Sequence, residues 1–287
     1  MSGWALGAHL PYLKHSGKYQ IVAICNSSVE SAEAAIKKHE LSRDTKAYGD
    51  PEDLAKDADV DLVVCSVRVD RHFQTVSPSL KAGKDVYVEW PLGKNLAEAK
   101  ELLHLKNHGG SQRTVVGLQA RQAPILKEIK NLLAAGRIGT VLSSTWTGQG
   151  GNLGPTVMEA YAYVTPHFHA IAGEERAFRG LPGLEWRIYG ETGEIRVSSS
   201  GPFLNIGYDD QKIEIFDFAS DSVVEVAVEK DEFDALRDNE KAWELPSRNV
   251  GRIYKAFAQG QDTCTFEDAV ERHALIEELY QENGIVV

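Results

Sequence analysis

Short, continuously apolar runs alternate with amphipathic stretches over the first 122 residues. Residues 19–25 (YQIVAIC) form one such run, bounded by Gly17 and by Asn26, Ser27 and Ser28, and predict a buried strand followed by a helix cap. An Ala-rich helix is expected over 28–39. Residues 61–67 (DLVVCSV) and 85–89 (DVYVE) predict two more buried strands, separated by a helix over 71–82 that stops at Gly83. A further helix over 97–106, ending near Gly109 and Gly110, and a strand over 114–118 (TVVGL) continue the alternation. Strands separated by helices at crossover spacing call for a parallel sheet with helices on both faces.

The pattern changes beyond Ala123 and Pro124. One helix is expected to about residue 135, closed by Gly136. Strands follow over 141–147, 185–189, 194–198, 212–218 and 223–228, several with alternating apolar and polar positions. Such alternation fits an antiparallel sheet with one face on a core and the other open. Two helices end the sequence, over 250–258 and 266–281, the second capped by Thr265 with the acid Asp268 at its third position. The expected division is a first domain over 1–122 and an α+β domain over 123–287.

Composition narrows the classes of function. The 287 residues, 43% hydrophobic and 25% charged, suit two folded domains. A formal net charge of −11 disfavours direct nucleic-acid binding or an anionic membrane surface, because phosphate attraction needs clustered Lys and Arg. Small molecules and proteins are the expected partners. Cys25, Cys65 and Cys264 are widely spaced and contain no CxxC pair, which argues for reduced thiols rather than a disulfide framework or zinc knuckle. No apolar run reaches the roughly 20 residues of a membrane helix. A cytoplasmic location is expected, with the nucleus left open.

The segment from Gly3 through Trp4 to Gly7 is glycine-spaced and precedes the strand at Tyr19. It could supply a phosphate turn, with backbone N–H groups and a helix N-terminus facing a pyrophosphate. On its own the signal is weak. Residues 60–102 add specificity: after a strand and a short loop come His72, a helix ending in Ala82-Gly83-Lys84, a strand, and Glu89-Trp90-Pro91. In order and spacing this resembles the N-terminal domain of the glucose-fructose oxidoreductase and inositol dehydrogenase family. The phrases GWALGAHLPYL, VEWPLGKN, VVGLQARQAP and GLEWRIYGETGEIRV are similar to its fungal branch, the one resembling the yeast galactose-regulon repressor.

The resemblance implies a nicotinamide dinucleotide, NAD or NADP, bound by a Rossmann-like domain. It implies cofactor-lining roles for Gly3, Trp4, Gly7, Asn26, Ser27, Ser66, Val67, Arg68, His72, Glu89, Trp90 and Gln119. Asn26 stands where an acid would bind the adenosine ribose, so a 2'-phosphate is not repelled. In active relatives the residue between Glu and Pro is a lysine that moves a proton to or from the substrate hydroxyl. Here it is Trp90, and indole does not titrate in water's pH range. Lys94, four residues on, reads as a solvated surface lysine. His167 and His169 alternate as strand neighbours do, but no cluster of partners suggests a metal; His169 instead resembles a fragment of the family's Gly-His segment, without its Asp. The segment from Gly148 to Pro155 resembles a loop bordering the ligand cleft.

Two departures complete the reading. A Rossmann sheet has strand order 3-2-1-4-5-6, and before the segment at Gly3 there is no room for its central first strand. Relatives also carry more chain between the positions of Tyr163 and Leu184. The expected fold class is therefore α/β: a Rossmann-like doubly wound parallel sheet with the first strand missing, followed by an α+β domain with a largely antiparallel sheet. Three functions follow. The first is a dinucleotide-binding regulatory protein with a protein partner of the transcription-regulator kind and a homodimeric open sheet. The second is an NAD(P)-dependent dehydrogenase of a sugar or polyol hydroxyl, and the third a non-functional partial copy.

Overall fold

The computed structural model describes residues 3–110, 112–148, 183–235 and 245–284. Among these, residues up to Leu118 and from Tyr254 onward form one compact unit, and those from Gln119 to Ile253 a second.

The first unit opens with a helix from Gly3, π-helical over Ala5–His9 and continuing as α1 (Leu10–His15). The expected phosphate turn is thus a helix: Gly3 stands at its start and Gly7 inside its π-helical part. A single interior glycine costs only about 1 kcal/mol, and Ala5, Leu6, Ala8 and Leu10 favour helix. Then come β1 (Ala23–Cys25), α2 (Val29–Lys38), β2 (Lys46–Tyr48), α3 (Pro51–Ala55), β3 (Leu62–Cys65), α4 (His72–Lys81), β4 (Asp85–Glu89), α5 (Leu96–Gly109) and β5 (Thr114–Gly117). Ser28 caps α2 through a reciprocal pair of hydrogen bonds with Ser31, and Asn95 caps α5.

All strand pairs of this unit are parallel, but they form two ladders, β1-β2 and β3-β4-β5. Among the described residues no strand bridges β1 and β3. Burial reflects it: β4 and β5 are almost fully enclosed, whereas all three residues of β1 keep partial contact with solvent. Residues 19–22 therefore stay outside the ladder. They are joined to the segment leading into β2 by the Lys46 N–H donated to the Val22 carbonyl at 2.9 Å and the Thr45 hydroxyl donated to the Ile21 carbonyl at 3.2 Å.

The second unit contains α6 (Pro124–Ala134) and the strands β6 (Val141–Gly148), β7 (Leu184–Gly190), β8 (Gly193–Ser199), β9 (Lys212–Asp217) and β10 (Ser222–Val226). They make one antiparallel sheet in the order β10-β9-β8-β7-β6. Ile188, Ile195, Val197, Ile213 and Ile215 point to one face and pack against Ile125, Ile129 and Leu132 of α6. On the other face Tyr189, Glu194, Phe216 and Val223 form one cross-strand row, beside the ion pairs Arg187–Glu194 and Arg196–Glu185. Val223 is 63% and Tyr189 44% exposed, and β6 is exposed along its whole length. The expected cleft loop beyond Gly148 and the His167–His169 segment lie outside the described residues.

After α7 (Glu232–Ala235), helix α8 (Leu245–Ala258) carries the chain across the division between the units. The last helix, α9 (Phe266–Glu282), belongs to the first unit, not to the second as a single cut at 122 would have it. Packing decides this. Phe266 and Ala269 sit in one core with Val88, Ala99, Leu102 and Val116, and the Cys264 carbonyl accepts the Val116 N–H at 2.7 Å. Thr265 and Asp268 form the expected capping box.

Candidate active site at the carboxyl ends of the parallel strands

In an open parallel sheet every strand delivers its last residue to the same edge, and ligands bind there. In β3, β4 and β5 those residues are Cys65, Glu89 and Gly117, and Glu89 is the ladder partner of Gly117. A Cβ at 117 would lie 2.5 Å from the Glu89 carboxylate, so a larger residue there would displace that side chain. Glu89 is 9% exposed and its Oε1 lies 2.9 Å from Nε2 of His9, close enough to pair when His9 is protonated but not aligned as a hydrogen bond. The other ring nitrogen of His9 shares a 2.8 Å hydrogen bond with the Tyr254 hydroxyl.

Aromatic rings close this assembly. Tyr254 stacks on Tyr12 at 5.5 Å and on Tyr87 at 5.1 Å, and His9 meets Tyr87 edge-on at 5.1 Å. Burial first, and the Glu89 carboxylate second, push the Tyr87 and Tyr254 hydroxyls well above the ordinary phenol range. Burial pushes the Cys65 thiol up to about 12. These groups stay protonated at neutral pH, so they are poor bases and poor nucleophiles.

Trp90 follows Glu89 through a cis bond to Pro91. It is half-buried, packs against the core that includes Phe266 and Ala269, and its ring lies 5.0 Å from that of the fully buried His273 on α9. Lys94 Nζ lies 2.6 Å from the Glu98 carboxylate. That is the surface role its sequence suggested.

His72 is 1% exposed and bridges two loops, one ring nitrogen 3.0 Å from the Val67 carbonyl and the other 2.9 Å from that of Pro91. Its contribution is to hold the loops after β3 and β4 together. Ser66 is half-buried, Val67 is exposed, and the exposed Arg68 engages Asp70 through two hydrogen bonds of 2.9 and 2.6 Å. At the tip of β1, Asn26 Nδ2 donates to the Ser31 carbonyl at 3.0 Å and Ser27 is exposed at the capped start of α2. Gln119 falls in the second unit, 3.5 Å from Asn205 Nδ2. Trp4 contributes a buried indole N–H with no hydrogen-bond partner.

Sequence reasoning missed His9, Tyr87 and Tyr254. His9 lay inside the glycine-spaced segment, but nothing in the pattern joined it to a tyrosine 245 positions away. As for a nicotinamide dinucleotide, the orphaned Trp4 donor and the carboxylate-free tip at Asn26 and Ser27 fit one. Among the described residues no group of three or more metal-ligating side chains is assembled, and no helix is long and apolar enough to cross a membrane.

Residues 2–118 match the model of the oxidoreductase family with NAD-binding Rossmann fold. A dehydrogenase, AclE, from Aspergillus oryzae is 45% identical over 127 residues, which cover 44% of this chain and 34% of that protein. The galactose/lactose metabolism regulatory protein GAL80 of Saccharomyces cerevisiae is 31% identical over 171 residues, covering 56% of this chain and 39% of GAL80. The matched segments thus span little more than a third of these relatives. Among solved structures, a super-repressor mutant of Gal80p from Saccharomyces cerevisiae superposes with a TM-score of 0.81 at 20% identity, over 98% of this chain and 93% of that one. An oxidoreductase from Agrobacterium radiobacter, in complex with NAD+, L-tartaric acid and magnesium, gives 0.71 at 16% identity over 96% and 92%. At these identities the structures establish the fold alone.

Proposed function

Because residues 2–118 match the model of the Gfo/Idh/MocA oxidoreductase family with an NAD-binding Rossmann fold, we propose that this protein binds NAD or NADP without turning a substrate over. In this reading it is a regulator whose bound dinucleotide modulates a protein partner of the transcription-regulator kind. The observation that carries it is the packing of Trp90, which the family resemblance aligns with the lysine of active relatives, against the core and His273. Hydride transfer to or from a hydroxyl needs a group to exchange the hydroxyl proton. Trp90 cannot exchange it, and Lys94 is committed to Glu98.

Cofactor binding itself needs little titratable chemistry. Helix ends, backbone and hydroxyls suffice. The absence of a carboxylate at Asn26 and Ser27 admits NADP alongside NAD. The exposed sheet face bearing Tyr189, Phe216 and Val223 suits a homodimer contact, and a regulatory role would place the protein in the cytoplasm and nucleus. A second reading, an NAD(P)-dependent dehydrogenase of a sugar or polyol hydroxyl, is favoured by the 45% identity to a dehydrogenase.

Thermal unfolding with saturating NAD, NADH, NADP and NADPH, paired with a dehydrogenase assay on a panel of sugars and polyols, separates these readings. A ligand that binds only the native state raises the midpoint. A rise with one dinucleotide and no turnover is expected. Turnover supports the dehydrogenase, and a cooperative transition that no dinucleotide moves removes both.

A further inference from the structure

On the solvent side of α5, away from the sheet edge, two histidines stand one helical turn apart. His104 and His108 are both exposed, and their ring centroids are 4.0 Å apart with planes tilted by 40°. Residues at i and i+4 lie on one helix face, so the backbone places the two side chains within reach of one another. The His108 ring is also oriented. Its Nδ1 lies 2.7 Å from the His104 carbonyl oxygen, which can only accept, so Nδ1 carries the hydrogen and donates it. The proton of the neutral ring is then fixed on Nδ1, and the Nε2 lone pair is left for a ligand. A histidine that ligates a metal typically has its other nitrogen engaged in this way.

From this arrangement we propose that His104 and His108 form a chelating site for a late first-row divalent transition ion, with copper(II) preferred over nickel(II) and zinc(II). Imidazole nitrogen suits these ions, and for a given nitrogen site affinity peaks at copper. Two imidazoles occupy two positions and water keeps the rest, because among the described residues no third protein ligand is assembled with them. Binding replaces two bound waters by two ring nitrogens, with no redox step and no covalent bond to carbon. The site lies in the last turns of α5, where the helix dipole favours positive charge. The one lysine in that stretch, Lys106, is held 2.6 Å from Glu267. Hard ions such as magnesium and calcium, which demand oxygen ligands, are excluded.

The test is calorimetric titration of the whole protein with copper(II), nickel(II), zinc(II) and magnesium at pH 7.5, where ordinary imidazoles are mostly neutral. Wild type, His104→Ala, His108→Ala and a His167→Ala/His169→Ala double variant are compared, and circular dichroism checks that each is folded. Both single substitutions are at exposed positions and leave the fold intact. Each should weaken copper binding by about tenfold or more, in the affinity order copper above nickel and zinc, with no magnesium signal. The double variant should bind as wild type does. Copper affinity unchanged in either single variant, or lost in the double variant, overturns the proposal.

Discussion

Replacing Trp90 by alanine distinguishes an indole that packs a core from one that faces a ligand. The ring is half-buried among the residues around Phe266 and Ala269 and lies 5.0 Å from the His273 ring. Truncating a fully buried Trp costs roughly 3–5 kcal/mol, so a half-buried one forfeits about half of that, and loss of the ring pair adds about 0.5–1.5 kcal/mol. The sum is about 2–4 kcal/mol. For a unit of this size that lowers Tm by roughly 5–15 °C. Trp90→Lys should fall in the same range or somewhat lower, because the aliphatic stem replaces part of the packing while the ammonium has to reach water. Differential scanning fluorimetry with and without NAD and NADP provides the assay. The variants should show the lowered Tm in the free protein and an unchanged ligand-induced shift, and neither should gain dehydrogenase activity. An Ala variant that melts with the wild type yet loses its ligand shift would falsify the packing role, since it would put the indole against the dinucleotide instead.

Two further substitutions probe charges the fold depends on. Arg252, 5% exposed, donates to Asp231 at 2.8 and 2.7 Å, to Asp234 at 2.6 Å and to Asn249 at 2.6 Å; Arg252→Met removes the cation shared by the two acids, leaving Asp234 with Arg248 at 3.5 Å, and should cost about 3 kcal/mol, read as a lowered urea midpoint, whereas an unchanged midpoint means the remaining partners and water already compensate. Lys46 lies 2.8 Å from Asp57 and 2.7 Å from Asp59, and its hydrogen bond is the first cause that holds the Asp57 carboxyl at about 2. The folded pKa is below the unfolded value near 3.9, so this contribution is complete above pH about 4 and vanishes as pH falls through about 2. The Tm gap between wild type and Lys46→Met should therefore be open at pH 6 and narrow steadily below pH 4; a gap independent of pH rules the pair out as its source.

The sequence made the second unit most legible. Its strands are long, one face is apolar, and a period of two survives in Ile195-Arg196-Val197 and Ile213-Glu214-Ile215, so all five strands lie close to where alternation puts them. In the first unit β3, β4 and β5 were equally readable, because strands buried on both sides are continuous apolar runs. Short elements were not. Three residues of β2 carry no period, and the short α3 went unread although Asp50 caps it ahead of Pro51, the Asp side chain accepting from the Glu52 N–H. The N-terminal segment was misjudged because glycine spacing says only that a turn is allowed, while the helix is decided by Ala5, Leu6 and Ala8. The return of α9 to the first unit was invisible: its apolar face is the same whichever core receives it, and only the Cys264–Val116 backbone bond and Phe266 in the core show which one does.

The candidate site was legible as a list of positions but not as chemistry, and that difference bears on function. A sequence shows that Glu89 ends a strand and Trp90 follows it at the carboxyl edge of the sheet, yet it cannot show which way their side chains are committed. In the fold both are engaged internally, Glu89 with His9 and Trp90 with the core. Binding and turnover are thereby separable. A dinucleotide is held mainly by helix ends, backbone amides and hydroxyls, none of which must change protonation state, whereas oxidation of a hydroxyl requires a group that does. Around Glu89 the neighbouring tyrosine and cysteine protons are locked in place by burial, with Tyr87, Tyr254 and Cys65 all shifted upward. A lysine introduced at position 90 therefore finds no proton path through these three groups.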